Sequence, residues 1–274
     1  TSAMGLTIHH EKISVDDSII GQMVFKNTVL EVIEDGNLIS KQFNKGSILV
    51  DKDVVFKRNV GSFNNTVIHE CVHWELHKIF HEVKMILDKD HSYASSWAEE
   101  NFSDSSMWSP LDWTEWHANG IAPRILMPKK QTRIKIRELY RTLTLVNPDM
   151  SRSELVQEVV DNLADFFNVS KQAAKIRMID LGFKEAIGVY NYLDDRYMHN
   201  FAFELEAFDK GSTYTITSND LCFEYCSNES FRQVIDKNRF MYIDNHLCLK
   251  DKKYIEFTKK GPVMTDYAYE HMDE

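Results

Sequence analysis

The sequence predicts an α+β protein in which a small antiparallel sheet and two helices are followed by a helical pair and a β-rich C-terminal region. Short apolar runs separated by turn residues fill positions 19 to 58, a strand pattern. Apolar residues then recur at helical spacing from 66 to 87 and, with breaks, from 109 to 181. Beyond about residue 200 the runs are short again and rich in aromatic and β-branched residues, as at Tyr214–Ile216, Phe240–Ile243 and Tyr254–Phe257.

Each element has a local reason. The sheet is read from Met23–Phe25, Val29–Ile33, the turn Asp35-Gly36, Leu38-Ile39, Gly46 and Ile48–Val50. Asn64, Asn65 and Thr66 offer N-cap side chains for a long, largely buried helix from about 66 to 87, carried by Val67, Ile68, Val72, Leu76, Ile79, Phe80, Val83 and Ile86. Residues 88 to 108 are polar and aromatic without a period, the kind of long excursion more often functional than structural. Ser109, Pro110 and Asp112 supply an N-cap, an N1 proline and an acid for a second helix through Glu115, Ala118, Ala122 and Leu126, which Pro123 is expected to bend or shorten. A third helix is expected over residues 130 to 144. Leu155–Phe167 and Ser170–Leu181 flank the turn Asn168-Val169 and read as a helix-turn-helix. The expected division is 1–148, 149–200 and 201–274.

Composition excludes several classes. With 43% hydrophobic and 27% charged residues but only 10 Gly and 5 Pro among 274, the chain is an ordered globular one. A net charge of -10 argues against nonspecific nucleic-acid binding, which needs concentrated Lys and Arg. No apolar run approaches the roughly 20 residues that span a bilayer, and Thr1-Ser2-Ala3-Met4-Gly5 does not open a basic-then-apolar leader. Four cysteines in so long a chain make no disulfide framework, so a reducing cytoplasm is expected.

The chemistry is concentrated in His69-Glu70-Cys71-Val72-His73, an H-E-x-x-H string on the first predicted helix. Positions i and i+4 lie about 6 Å apart along the axis on one face, so two imidazoles can converge on one zinc ion at about 2.1 Å. Glu70, to the side of that pair, is placed to take a proton from a water that the metal acidifies. His77 and His81 continue the stripe, but His77 lies about 12 Å from His69 along a straight helix, too far to share the ion. Packing or hydrogen bonding to the ligands is the expectation for both. A third ligand is expected from another element, and a carboxylate would leave one position open. Glu115 on the second helix is the best candidate.

The segment Glu115-Trp116-His117-Ala118-Asn119-Gly120-Ile121-Ala122-Pro123-Arg124-Ile125-Leu126-Met127-Pro128 resembles the pattern E-x-x-A-N-x-x-A-x-x-L-L-M-P of the ImmA/IrrE metallo-endopeptidases, and it follows H-E-x-x-H in the family's order. It departs at Ile125, where the pattern has Leu, and the stretch between the two motifs is long. Leu163–Ser170 and Arg177–Gly182 are similar to the helical pair that follows the family's core, so the resemblance covers roughly residues 45 to 185. It implies a zincin-like metallopeptidase domain over 1–148 with His69, His73 and Glu115 as zinc ligands and Glu70 as the catalytic glutamate. The implied activity is regulatory proteolysis of a helix-turn-helix transcriptional repressor, in mobile-element control or a stress response. The competing expectation is a noncatalytic zincin-like sensor or interaction module, against which the intact Glu70 argues.

Three further groups carry weaker signals. In the helical pair, Lys171, Lys175, Arg177 and Lys184 could meet phosphate, but Glu154, Glu158, Asp161 and Asp165 crowd the preceding helix, so a supporting role is expected and not direct DNA binding. Cys222 and Cys226 have a zinc-like C-x3-C spacing, yet His246 and Cys248 complete it poorly, and partly buried thiols are expected. A donor to the developing oxyanion is required of a peptidase. His91, Tyr93 and His117 lie in or near the right segments, and each is read as structural.

Overall fold

Strand alternation organises the first part of the molecule. A computed structural model describes residues 1–87, 94–97, 108–207 and 213–274. Its mixed α+β fold divides into two units, Thr1–Thr132 with Ala164–Ser170, and Arg133–Leu163 with Lys171–Glu274.

In the first unit the strands are Thr7–Glu11 (β1), Gly21–Val24 (β2), Thr28–Glu34 (β3), Asn37–Phe43 (β4), Ser47–Asp51 (β5) and Ala94–Trp97 (β6). β1, β5, β2 and β6 form one sheet in that order, while β3 and β4 pair separately as a hairpin closed by Asp35 and Gly36 at φ 50° and 79°. β1 runs parallel to β5, so the main sheet is mixed and not antiparallel throughout as expected. The strand Thr-Ile-His-His-Glu has one aliphatic residue and a partner far away in the chain, so it carries no local strand signal. Met23, Ile48 and Val50 join Phe25 on one face and meet Val67 and Cys71, whereas Val24 and Leu49 on the other face meet Val32 and Phe43 of the hairpin.

After the short helix Val54–Lys57 (α1), one continuous helical stretch runs through Val60–Val72 (α2), a π-helical turn His73–His77 and Lys78–Leu87 (α3). α2 starts earlier than expected, capped by Asn59, whose side chain accepts from the Ser62 amide. Gly61-Ser62 looks like a helix breaker locally. An added Cβ at Gly61 would fall on the backbone of Val169 and Ser170, so tertiary packing explains the glycine.

The second predicted helix, Pro110–Leu126 (α4), begins as expected. Ser109 and Asp112 form a reciprocal capping box with Pro110 at the first position. Pro123 does not shorten α4, which continues to Leu126 before Lys129–Val146 (α5). Of the excursion expected over 88 to 108, residues 88–93 and 98–107 lie outside the described residues.

The predicted helical pair is Arg152–Phe167 (α6) and Lys171–Asp180 (α7), with Asn168 between them at φ 49°. In the second unit Val156, Val159, Val160 and Leu163 form the buried stripe of α6. Tyr192–Leu193 (β7) and Arg196–Tyr197 (β8) turn through Asp194 and Asp195, both at positive φ. The C-terminal region is mixed where a β-rich one was expected. It contains Ser218–Ser227 (α8), Glu229–Ile235 (α9), Phe240–Ile243 (β9), His246–Leu249 (β10), Ile255–Thr258 (β11), Gly261–Met264 (β12) and Asp266–Glu270 (α10). Tyr214–Ile216 is irregular, and Thr217 and Asn228 cap two helices within the region expected to be β-rich. No helix among the described residues is long and apolar enough to cross a membrane.

Two predictions follow from packing. Gly61→Ala gains about 1 kcal/mol of helix propensity, but the backbone it meets cannot step aside as a flexible side chain could. The expected net result is a loss of about 1–3 kcal/mol, read as a lower melting temperature. Lys175 is buried on α7, its Nζ donating to Asn191 Oδ1 at 2.7 Å, and burial pushes its pKa down to about 8. Between about pH 8 and 10.5 the unfolded chain keeps this proton and the folded one has lost it, so the group makes stability rise with pH in that window. Lys175→Met is expected to remove that rise from urea-denaturation stabilities measured across the window.

Candidate metal centre

The buried side of α2 carries Thr66, His69 and Glu70, all fully buried, among Val67, Cys71 and Val72, and His73 follows at its C-terminal edge, 1% exposed. Such groups need partners, because an unpaired polar group in an apolar interior costs several kcal/mol. α4 brings one. Glu115 Oε2 lies 3.1 Å from His69 Nε2 and 3.3 Å from His73 Nε2, and the two Nε2 atoms are 3.0 Å apart. Among the described residues this is the one group of three His, Cys, Asp or Glu side chains gathered closely enough to hold a metal ion.

The spacing fits such an ion. Ligands 2.0–2.1 Å from a tetrahedral zinc are separated by roughly 3.3–3.4 Å. The observed edges of 3.0–3.3 Å approach that triangle. Two imidazoles and one carboxylate are also the right chemistry for zinc, and three protein ligands leave a fourth position.

Burial lowers the pKa of His69, opposed by hydrogen bonds with Glu115 and Asn119, and the net direction is down, toward the neutral ring. Burial alone would raise Glu115, but hydrogen bonds with His69 and His73 outweigh it and hold the carboxyl at about 2. His69 and Glu115 agree on a neutral ring beside an ionised carboxylate.

Glu70 is different. Neither carboxylate oxygen has a hydrogen-bond partner among the described residues, and burial, reinforced by the Glu115 charge, raises its pKa well above 4.5. Its wall on the sheet side is Gly21 of β2, where an added Cβ would lie 2.9 Å from Glu70 Oε1 and collide with the Thr66 methyl.

The remaining candidates fall elsewhere. His77 Nδ1 lies 3.1 Å from His73 Nδ1, and His81 stacks on Phe25 with ring centroids 4.2 Å apart. Burial and the neighbouring imidazoles of His73 and His117 push His77 down to about 4. His117 is exposed and stacks on His77, while His91 and Tyr93 lie outside the described residues. Cys222 and Cys226 are exposed, Cys248 and His246 are buried, and they form no metal-holding group among the described residues. Lys175 and Arg177 are buried, and Lys171 pairs with Asp161 at 2.8 Å. Gly21 was missed because its role is a tertiary distance. Asn119 was visible in the motif, one turn beyond Glu115, and only the fold gives it a partner in His69.

No protein-family model, curated protein or solved structure matches the chain.

Gly21→Ala is expected to destabilise the first unit by about 1–3 kcal/mol through overpacking against Thr66 and Glu70. Urea denaturation of the variant beside wild type checks it, and equal midpoints would show that the wall yields freely.

Proposed function

We propose that the chain is a zinc-dependent endopeptidase in which His69, His73 and Glu115 hold the metal and Glu70 is the general base. The observation that carries the proposal is a triangle of ligand atoms 3.0–3.3 Å on edge beside a buried carboxylate whose oxygens have no hydrogen-bond partner among the described residues. A zincin-like core, with the ligand helix lying on a sheet and the glutamate helix alongside it, is part of the same reading.

When bound, zinc polarises a carbonyl oxygen and lowers the pKa of water to about 7. Glu70 accepts a proton from the attacking water as its oxygen bonds to the scissile carbonyl carbon, and returns it to the departing nitrogen as the C–N bond breaks. His69, His73 and Glu115 are held by one another in the geometry they need, so little reorganisation accompanies binding.

The proposed substrate is a helix-turn-helix transcriptional repressor in the cytoplasm, cleaved to change expression of a mobile element or a stress response. This rests on the resemblance of the two motifs to the ImmA/IrrE pattern. The proposal includes no DNA contact. A second reading, a noncatalytic metal-holding sensor or interaction module, is favoured by one observation: His69 and Glu70 have no exposed surface through which a peptide could be reached.

Zinc analysis and the protein termini of cells expressing wild type, Glu70→Gln or Glu115→Ala separate the readings. The peptidase reading expects Glu70→Gln to keep zinc at the wild-type stoichiometry while cleavage of a DNA-binding protein falls about 10²–10⁴-fold. It expects Glu115→Ala to lose zinc. Processing that survives Glu70→Gln rejects the general base, and a zinc-loaded wild type that generates no new termini selects the noncatalytic module.

A further inference from the structure

We infer that His77 is a positioning residue for the proposed metal centre: its Nδ1 accepts the Nδ1–H of His73 and so turns the bare Nε2 lone pair of His73 toward His69 and Glu115. The inference rests on the metal reading above and adds to it a residue outside the H-E-x-x-H string.

The two rings meet through Nδ1 atoms 3.1 Å apart, while His73 Nε2 is 3.0 Å from His69 Nε2. A neutral imidazole carries one N–H, and the gap between the two Nδ1 atoms holds one proton. The direction of this single bond therefore decides what His73 can do. If His73 donates, its Nε2 is free to ligate. If His77 donates, the His73 proton sits on Nε2, facing the other ligands, and ligation is blocked. Metal binding selects the first arrangement and leaves the His77 proton on Nε2.

Water cannot easily replace His77 in this role, because His73 and His77 are 1% and 6% exposed. The plane of His77 is held from outside by His117 of α4, stacked at 5.8 Å and 17°. The π-helical turn His73–His77 lies between the two rings, so the position of His77 relative to His73 is set by a widened turn and not by α-helical spacing. His77 contributes no atom to the ligand triangle itself.

The test uses the full chain, with zinc affinity from chelator competition and the visible spectrum of the cobalt-substituted protein. His77→Ala is expected to weaken zinc binding about 10–100-fold and to shift the cobalt bands. His77→Asn offers Oδ1 where His77 offered Nδ1, and is expected to restore affinity to within a few-fold of wild type. Nitrogen NMR of the zinc-loaded wild type is expected to show the His73 proton on Nδ1 and the His77 proton on Nε2, a readout that needs no variant to fold. Equal affinity in wild type and His77→Ala overturns the inference, as does His77→Asn binding no better than His77→Ala, or a His73 proton on Nε2. A wild type that binds no zinc removes the metal reading and this inference together, whereas the preceding outcomes remove this inference alone.

Discussion

Two imidazoles and a carboxylate lie on the buried side of α2, and most of the first unit can be understood as accommodation to them. Solvating them with water would open the core, so a charged partner has to come from another element. Glu115 is that partner, and the seam of α4 that carries it allows a close approach, since Ala118 and Ala122, three and seven residues on, are fully buried and small. The capping box at Ser109 fixes where α4 begins and therefore where Glu115 falls along it. Local chemistry at a helix start and long-range chemistry at the ligand triangle are in this way one constraint.

What could be read from the sequence was the part with local causes. Ser109, Pro110 and Asp112 announce a helix start because capping involves a few adjacent residues, and the H-E-x-x-H string carries its own geometry through the helical period. The failures share the opposite cause. β1 pairs with a strand far along the chain, and Gly61 is explained by the backbone at Val169. At the site, His69, Glu70, His73 and Glu115 were legible. Gly21 was not, because a distance across the fold leaves no mark in residue order, whereas the link from His77 to His73 was one of the two expectations for that histidine.

Glu70 and the metal-ligand candidates answer to different parts of the structure. The ligands are fixed by the α2–α4 contact, whereas the carboxylate of Glu70 is confined by Thr66 and the bare backbone of Gly21 on the sheet. Sheet and helix pair must therefore keep their mutual placement for Glu70 to stay beside the triangle of His69, His73 and Glu115. A stiff, close-packed interior transmits small displacements. Changes on the far face of the sheet, around Val24, Leu49 and the β3–β4 hairpin, accordingly bear on the geometry of the candidate site although none of those residues touches it.

The first unit is not one continuous stretch of chain: residues Ala164–Ser170 return to it after Arg133–Leu163 have been given to the second. On a ribosome, which delivers residues in order, His69 through Glu115 emerge well before the Val169–Ser170 backbone against which Gly61 packs. The nascent chain thus has His69, His73 and Glu115 early and its finished first unit late. Birth order becomes a form of restraint, in which the body around the candidate site is completed only after the first stretch of the second unit has been made.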